Sequence, residues 1–127
     1  MVRGIRGATT VESNDATEIK EATQELLHII LAENALSTED LVSAIFTVTP
    51  DLNADFPASS AREIGWELVP LLCATEIPVP SGLSRCIRVL IHVNTTRSQT
   101  EIVHVFLRNA KALRKDLVRL DIKNNNL

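Results

Sequence analysis

A chain of 127 residues is the common size of a single domain, and it buries roughly two thirds of the surface its unfolded form exposes, so no disulfide or metal staple is required. The 45% hydrophobic and 23% charged content excludes a disordered chain, and with three Phe, one Trp and no Tyr the core must come from Ile, Leu and Val. A net charge of −3 lacks the clustered positive surface that nucleic acid needs.

Cys73 and Cys86 have neither metal-ligand spacing nor the density of a disulfide scaffold, so reduced thiols are expected. The start, Met1-Val2-Arg3-Gly4, has no apolar leader segment, and every apolar run is too short to span a membrane. A soluble, cytoplasmic protein without bound metal is the expectation.

In chain order, residues 2–11 read as a strand, with Val2, Ile5 and Val11 favouring it and Gly4 and Gly7 interrupting it. Glycines inside a strand mark the close approach of another backbone or a ligand. Asp15 with Glu18 resembles a capping box, and Ile19, Ala22, Leu26, Ile29 and Ile30 recur at helical spacing to about Asn34. Ser37 to Asp40 reads as a turn, residues 41–48 as a strand, and residues 49–57 as a polar loop bracketed by Pro50 and Pro57.

A short helix is expected over 58–66, stopped near Gly65, then a strand over 69–74 and a loop over 78–82. Residues 85–94 form the most strand-like segment: Ile87, Val89, Ile91 and Val93 share one face, and Cys86, Arg88, Leu90 and His92 the other. A strand over 102–106 and a short helix over 107–113 follow, and the polar tail over 121–127 is expected to fray. The pattern predicts an α+β or α/β fold, a mixed sheet covered by helices. With one main covering helix the other face of the sheet is left partly bare and needs burying, and a symmetric oligomer does this economically.

No phosphate-binding glycine loop, dinucleotide fingerprint, zinc-protease motif or nucleophile elbow is present. His28, His92 and His104 are not spaced as a metal set; His28 is expected to face solvent, and His92 and His104 to play structural roles in strands. Gly4-Ile5-Arg6-Gly7 formally matches an RNA-clamping loop, but that loop joins two helices and this one lies in a strand of an acidic protein. Arginine remains. Arg6 interrupts a strand beside two glycines, Arg88 interrupts a nearly continuous apolar strand, and Lys111, Arg114, Lys115 and Arg119 add cations near the C-terminus. A strand arginine usually points to water. Yet Arg88 shares its face with Cys86 and Leu90, and a half-buried cation normally wants an anion. Two such arginines with one carboxylate suit a small polyanionic ligand, because guanidinium groups match carboxylates bidentately.

At this point a resemblance enters. Arg3-Gly4-Ile5-Arg6-Gly7-Ala8-Thr9-Thr10-Val11-Glu12 resembles the N-terminus of the monofunctional trimeric chorismate mutases. Residues Thr49 to Ala58 are similar to their central loop, and Cys86-Ile87-Arg88-Val89 to their key strand. Val69-Pro70, Cys73, Glu76 and Gly82-Leu83 resemble the stretch between, and Leu113-Arg114-Lys115-Asp116-Leu117 the C-terminal segment. The resemblance covers nearly the whole chain as one domain.

It implies subunits with a mixed β-sheet and helices on one side, in a homotrimer whose sheets pack into a pseudo α/β-barrel, with active sites at the subunit interfaces. The implied reaction is the [3,3]-sigmatropic rearrangement of chorismate to prephenate, in aromatic amino acid biosynthesis and with no cofactor. Arg88 then matches the arginine facing the ether oxygen, Glu76 the carboxylate holding the ring hydroxyl, and Arg6 an arginine for a substrate carboxylate. Cys73 matches a pocket cysteine, with a small buried hydrophobe as its other reading. Phe56, Ala58 and Arg62 match positions lining the site from a neighbouring subunit, and Leu113 and Arg114 the segment near its mouth. Phe106 stands where family members often carry tyrosine, and Ser59 where a lysine can occur. A non-catalytic trimer that binds a carboxylated metabolite through the same arginines is the alternative.

Overall fold

The computed structural model describes residues 1–113; Arg114, Lys115, Arg119 and the tail over 121–127 lie outside the described residues. Five strands form one sheet: β1 (Val2–Thr10), β2 (Leu41–Val48), β3 (Leu71–Thr75), β4 (Cys86–Asn94) and β5 (Val105–Phe106), in the order β3-β2-β4-β1-β5. β4 pairs antiparallel with both β1 and β2, while the edge strands β3 and β5 run parallel to β2 and β1. Among the described residues two α-helices, α1 (Ala16–Glu33) and α2 (Pro57–Glu63), accompany the sheet. Among the described residues no helix is long and apolar enough to cross a membrane.

α1 begins as its sequence predicts. Asp15 accepts a hydrogen bond from the Glu18 N–H at 3.0 Å, so one half of a capping box is present. The Glu18 carboxylate, however, reaches past Asp15 to the Glu12 N–H and the Ser13 hydroxyl. The helix ends in a Schellman turn: Ala35 N–H donates to the Ala32 carbonyl and Leu36 N–H to that of Leu31, with Ala35 at φ 52°.

The buried stripe of α1, including Ile19, Leu26, Leu27 and Ile30, lies on one face of the sheet. Opposite it stand Ile5 of β1, Ala44 and Phe46 of β2, and Val89, Ile91 and Val93 of β4. This is the strand alternation expected for residues 85–94: Ile87, Val89, Ile91 and Val93 are all under 5% exposed. Gly7 sits under α1 because a Cβ there would lie 2.6 Å from Ile30 Cδ1. Trp66, fully buried, closes this core after Gly65 ends α2 at φ 100°.

Several boundaries differ from expectation. α2 starts at Pro57, whose fixed φ suits the first helical turn, and ends at Glu63. β3 starts at Leu71, because Pro70 carries no N–H and joins the ladder only through its carbonyl, which accepts from Ala44. The strand expected over 102–106 is reduced to Val105 and Phe106. A 3₁₀ turn over Gln99–Glu101 precedes it, and Asn34 takes the Val103 backbone out of the ladder. The expected helix over 107–113 is a 3₁₀ turn, Arg108–Ala112. His104 precedes β5 instead of lying in a strand; its Nδ1 accepts the Arg6 N–H at 2.9 Å. His28 is exposed on α1, and His92 in β4 bonds to Ser43.

Candidate active site

The face of the sheet away from the helices carries the chemistry. Arg6 and Ala8 of β1, Ile45 and Thr47 of β2, and Arg88 and Leu90 of β4 alternate with the core residues and so share this face. Register does the gathering: Arg88 stands between Ala8 on β1 and Thr47 on β2, and Leu90 between Arg6 and Ile45. The antiparallel pairing of β4 with both neighbours therefore brings residues 6, 47 and 88 together from three distant parts of the chain.

Glu76 enters from the end of β3, where its N–H donates to the Val48 carbonyl at 2.8 Å. Its Oε1 accepts the Thr47 hydroxyl at 2.8 Å and lies 3.0 Å from Arg88 Nε. The Arg88 side chain is 39% exposed and that of Glu76 18%. An ion pair this open adds little stability, while its charges stay within reach of a ligand. Arg6 lies over the Phe106 ring, 5.9 Å from its centroid, at the outer limit of a cation–π contact.

These side chains line a cavity of about 330 Å³. A second, of about 530 Å³, shares Glu76 and Arg88 with it and extends past Asp51, Val79 and Leu83 to Leu113. Together they form a trough with a carboxylate and a guanidinium at the join and a second guanidinium at one end. Beneath it, burial pushes the Cys86 thiol up to about 11 against the pull of the Arg88 charge, so it stays a neutral, 2% exposed hydrophobe.

The residues singled out in the sequence therefore divide. Arg6, Glu76, Arg88 and Phe106 come together, and Leu113 borders the adjoining cavity. Phe56 and Cys73 line a separate cavity of about 390 Å³ beside the edge strand β3, on the helix side of the sheet. Ala58 is buried in α2, and Arg62 is exposed there with Nη2 donating to Ser59 Oγ. Arg114 lies outside the described residues. Sequence reasoning missed Thr47, the hydroxyl that fixes Glu76. The only signal was its even spacing from Ser43 and Ile45 on the open face of β2, and that acquires meaning only once β2 is known to lie beside β4.

A mixed sheet with helices on one face and a guanidinium–carboxylate trough on the other has the charge to suit a small polyanion. The comparisons with known proteins give the family. Residues 2–117 match the family "Chorismate mutase type I". The chain is 53% identical over 118 residues to chorismate mutase AroH of Thermus thermophilus, covering 92% of this chain and 97% of that protein. It is 48% identical over 118 residues to chorismate mutase AroH of Bacillus subtilis, covering 92% and 93%. The solved structure of a chorismate mutase from Clostridium thermocellum superposes with a TM-score of 0.85 at 50% identity, covering 87% of this chain and 98% of that one. The chain belongs to the type I chorismate mutase family, a family of isomerases.

Proposed function

We propose that this chain rearranges chorismate to prephenate by holding the substrate in a compact chair-like conformer and stabilising the charge that develops on its ether oxygen. The reaction is intramolecular and needs neither a proton transfer nor a covalent intermediate, so orientation and electrostatics must supply the acceleration. The C–O bond breaks ahead of C–C bond formation, and negative charge gathers on the ether oxygen. A fixed guanidinium there binds the transition state more tightly than the ground state.

Arg88 takes that role. Glu76, already aligned by Thr47, accepts the ring hydroxyl, and Arg6 holds a substrate carboxylate. The single observation that carries this reading is the convergence of Arg88, Glu76 and Arg6 on one trough. A mere anion binder has no need of a carboxylate beside its arginine.

The proposal includes a homotrimer. Ile45, Leu72 and Leu90 are 36%, 62% and 37% exposed on the open face of the sheet, an apolar surface that a neighbouring subunit would cover. Phe56, Ala58, Arg62 and Cys73, none of which lines the cavities that hold Arg88 within one chain, would then complete the trough of the next subunit, with Leu113 and Arg114 at its mouth. Two free cysteines support a cytoplasmic location.

The test is to incubate the purified protein with chorismate and follow loss of its ultraviolet absorbance, identifying prephenate by acid conversion to phenylpyruvate. Prephenate formed far above the spontaneous rate is expected. No acceleration from a folded protein would move the reading to a carboxylate-binding module. Light scattering is expected to give three times the chain mass, and a stable, active monomer would contradict a site built between subunits.

A further inference from the structure

Arg88 lies two residues into β4, so the way the chain enters that strand bears on where its guanidinium sits. The chain reaches β4 through Arg85, whose φ of 47° lies in the left-handed region that side chains disfavour. Such a conformation persists only where its surroundings hold it.

Here they do. The Arg85 N–H donates to both oxygens of Asp51, at 3.1 and 2.9 Å. The Val11 N–H donates to the Arg85 carbonyl at 3.0 Å, and Arg85 Nε donates to the Val11 carbonyl at 3.2 Å. Asp51 Oδ1 also accepts the Thr49 hydroxyl at 2.5 Å, and that hydroxyl oxygen accepts the Cys86 N–H at 2.9 Å. One carboxylate therefore grips the backbone of residue 85 directly and of residue 86 through a single hydroxyl. Partial desolvation pushes the Asp51 carboxyl up, but the hydrogen bonds from Thr49 and Arg85 and the Arg85 charge hold it below its usual range. A carboxylate so engaged stays ionised at neutral pH.

Asp51 also borders the larger cavity together with Glu76 and Arg88. Two roles for it are distinguishable. Acting directly on an anionic substrate, its charge would only oppose binding. Acting through the backbone, it would set where Arg88 sits.

We propose that Asp51 is a positioning residue for Arg88: by locking the left-handed turn at Arg85 and the Thr49–Cys86 pair, it aims the guanidinium at the reacting ether oxygen. The inference rests on the role given to Arg88 above. Misplacing a catalytic group by about 1 Å can cost on the order of 10²-fold in rate, and a displacement relayed through two residues of strand should cost less.

The experiment is a double-mutant cycle of Asp51→Asn and Arg88→Ala, reading kcat and KM well below the unfolding midpoint of each variant. Asp51→Asn keeps the shape but loses the charge and sets an amide donor against an N–H. Its kcat is expected to fall roughly tenfold with little change in KM, because aim matters most in the transition state. In the Arg88→Ala background the same substitution should change kcat by less than about twofold, since coupled residues are not additive. An unchanged kcat for Asp51→Asn, with or without a lower KM, would overturn the proposal, as would an equal loss in both backgrounds. A near-normal kcat for Arg88→Ala alone would instead sink the role of Arg88. Should Asp51→Asn fail to fold, Thr49→Val removes only the hydroxyl link. Its expected loss of about threefold must likewise vanish without Arg88, and otherwise the proposal fails.

Discussion

Oε1 of Glu76 is shared: it lies 3.0 Å from Nε of Arg88 and accepts the Thr47 hydroxyl at 2.8 Å. The oxygen closest to the proposed charge-stabilising group is therefore itself held by a neutral donor on the adjacent strand.

Glu76→Gln tests what the charge of that group does. The amide keeps an oxygen for Thr47 but gives a weaker acceptor for a substrate hydroxyl. Hydrogen bonds to charged groups contribute about 1.5–3 kcal/mol, so kcat/KM should fall by roughly 10- to 10²-fold. Steady-state kinetics check this, and an unaltered kcat/KM would remove Glu76 from the site.

Two backbone positions should respond to substitution in opposite directions. Gly7→Ala forces a Cβ to 2.6 Å from Ile30 Cδ1 and 3.2 Å from Val89 Cγ1, and overpacking of this kind costs about 1–3 kcal/mol. Ala35→Gly relieves a residue at φ 52° in the turn that ends α1, and should stabilise the protein by up to about 1 kcal/mol. Denaturant unfolding of both variants reads the two signs. A neutral Gly7→Ala would mean that α1 moves away from β1 without loss.

Cys86 sets an alkaline limit to stability. Its thiol titrates at about 11 in the folded protein against an ordinary 9.0, because burial disfavours the thiolate. Between those values the unfolded chain has released a proton that the folded chain retains, so stability falls as pH rises from 9.0 toward 11. Cys86→Ala should flatten that decline in unfolding midpoints measured across the range. The thiol of the folded protein should also resist alkylation at pH 7.

Much of this architecture was legible before the structure. Alternation in residues 85–94 put Ile87, Val89, Ile91 and Val93 on the buried face and left Arg88 opposite, and Asp15 marked the start of α1. What was hidden depends on contacts distant in sequence. Nothing local says that the side-chain amide of Asn34 takes up the Val103 backbone, its Nδ2 donating to the carbonyl and its Oδ1 accepting the N–H, and so shortens β5. Nor does Arg85 advertise a left-handed turn, a conformation more common for glycine or asparagine. The resemblance gave Cys73 as a pocket cysteine and Phe56 as lining the site from a neighbouring subunit, and within one chain β3 turns Cys73 toward the helix side, into a cavity shared with Phe56. A period-two pattern assigns faces only when the strand's neighbours are known, and a short edge strand offers too few residues to reveal its own.

The most direct test of the account is the turnover number of Arg88→Ala on chorismate, with Arg88→Lys beside it. Loss of one preorganised donor commonly costs about 10²–10³-fold in rate, and loss of a formal charge in this trough should cost at least that. Lysine should recover little of it, because its point charge cannot reproduce the guanidinium's planar fork. A folded Arg88→Ala variant that turns chorismate over at a near-normal kcat would contradict the mechanism.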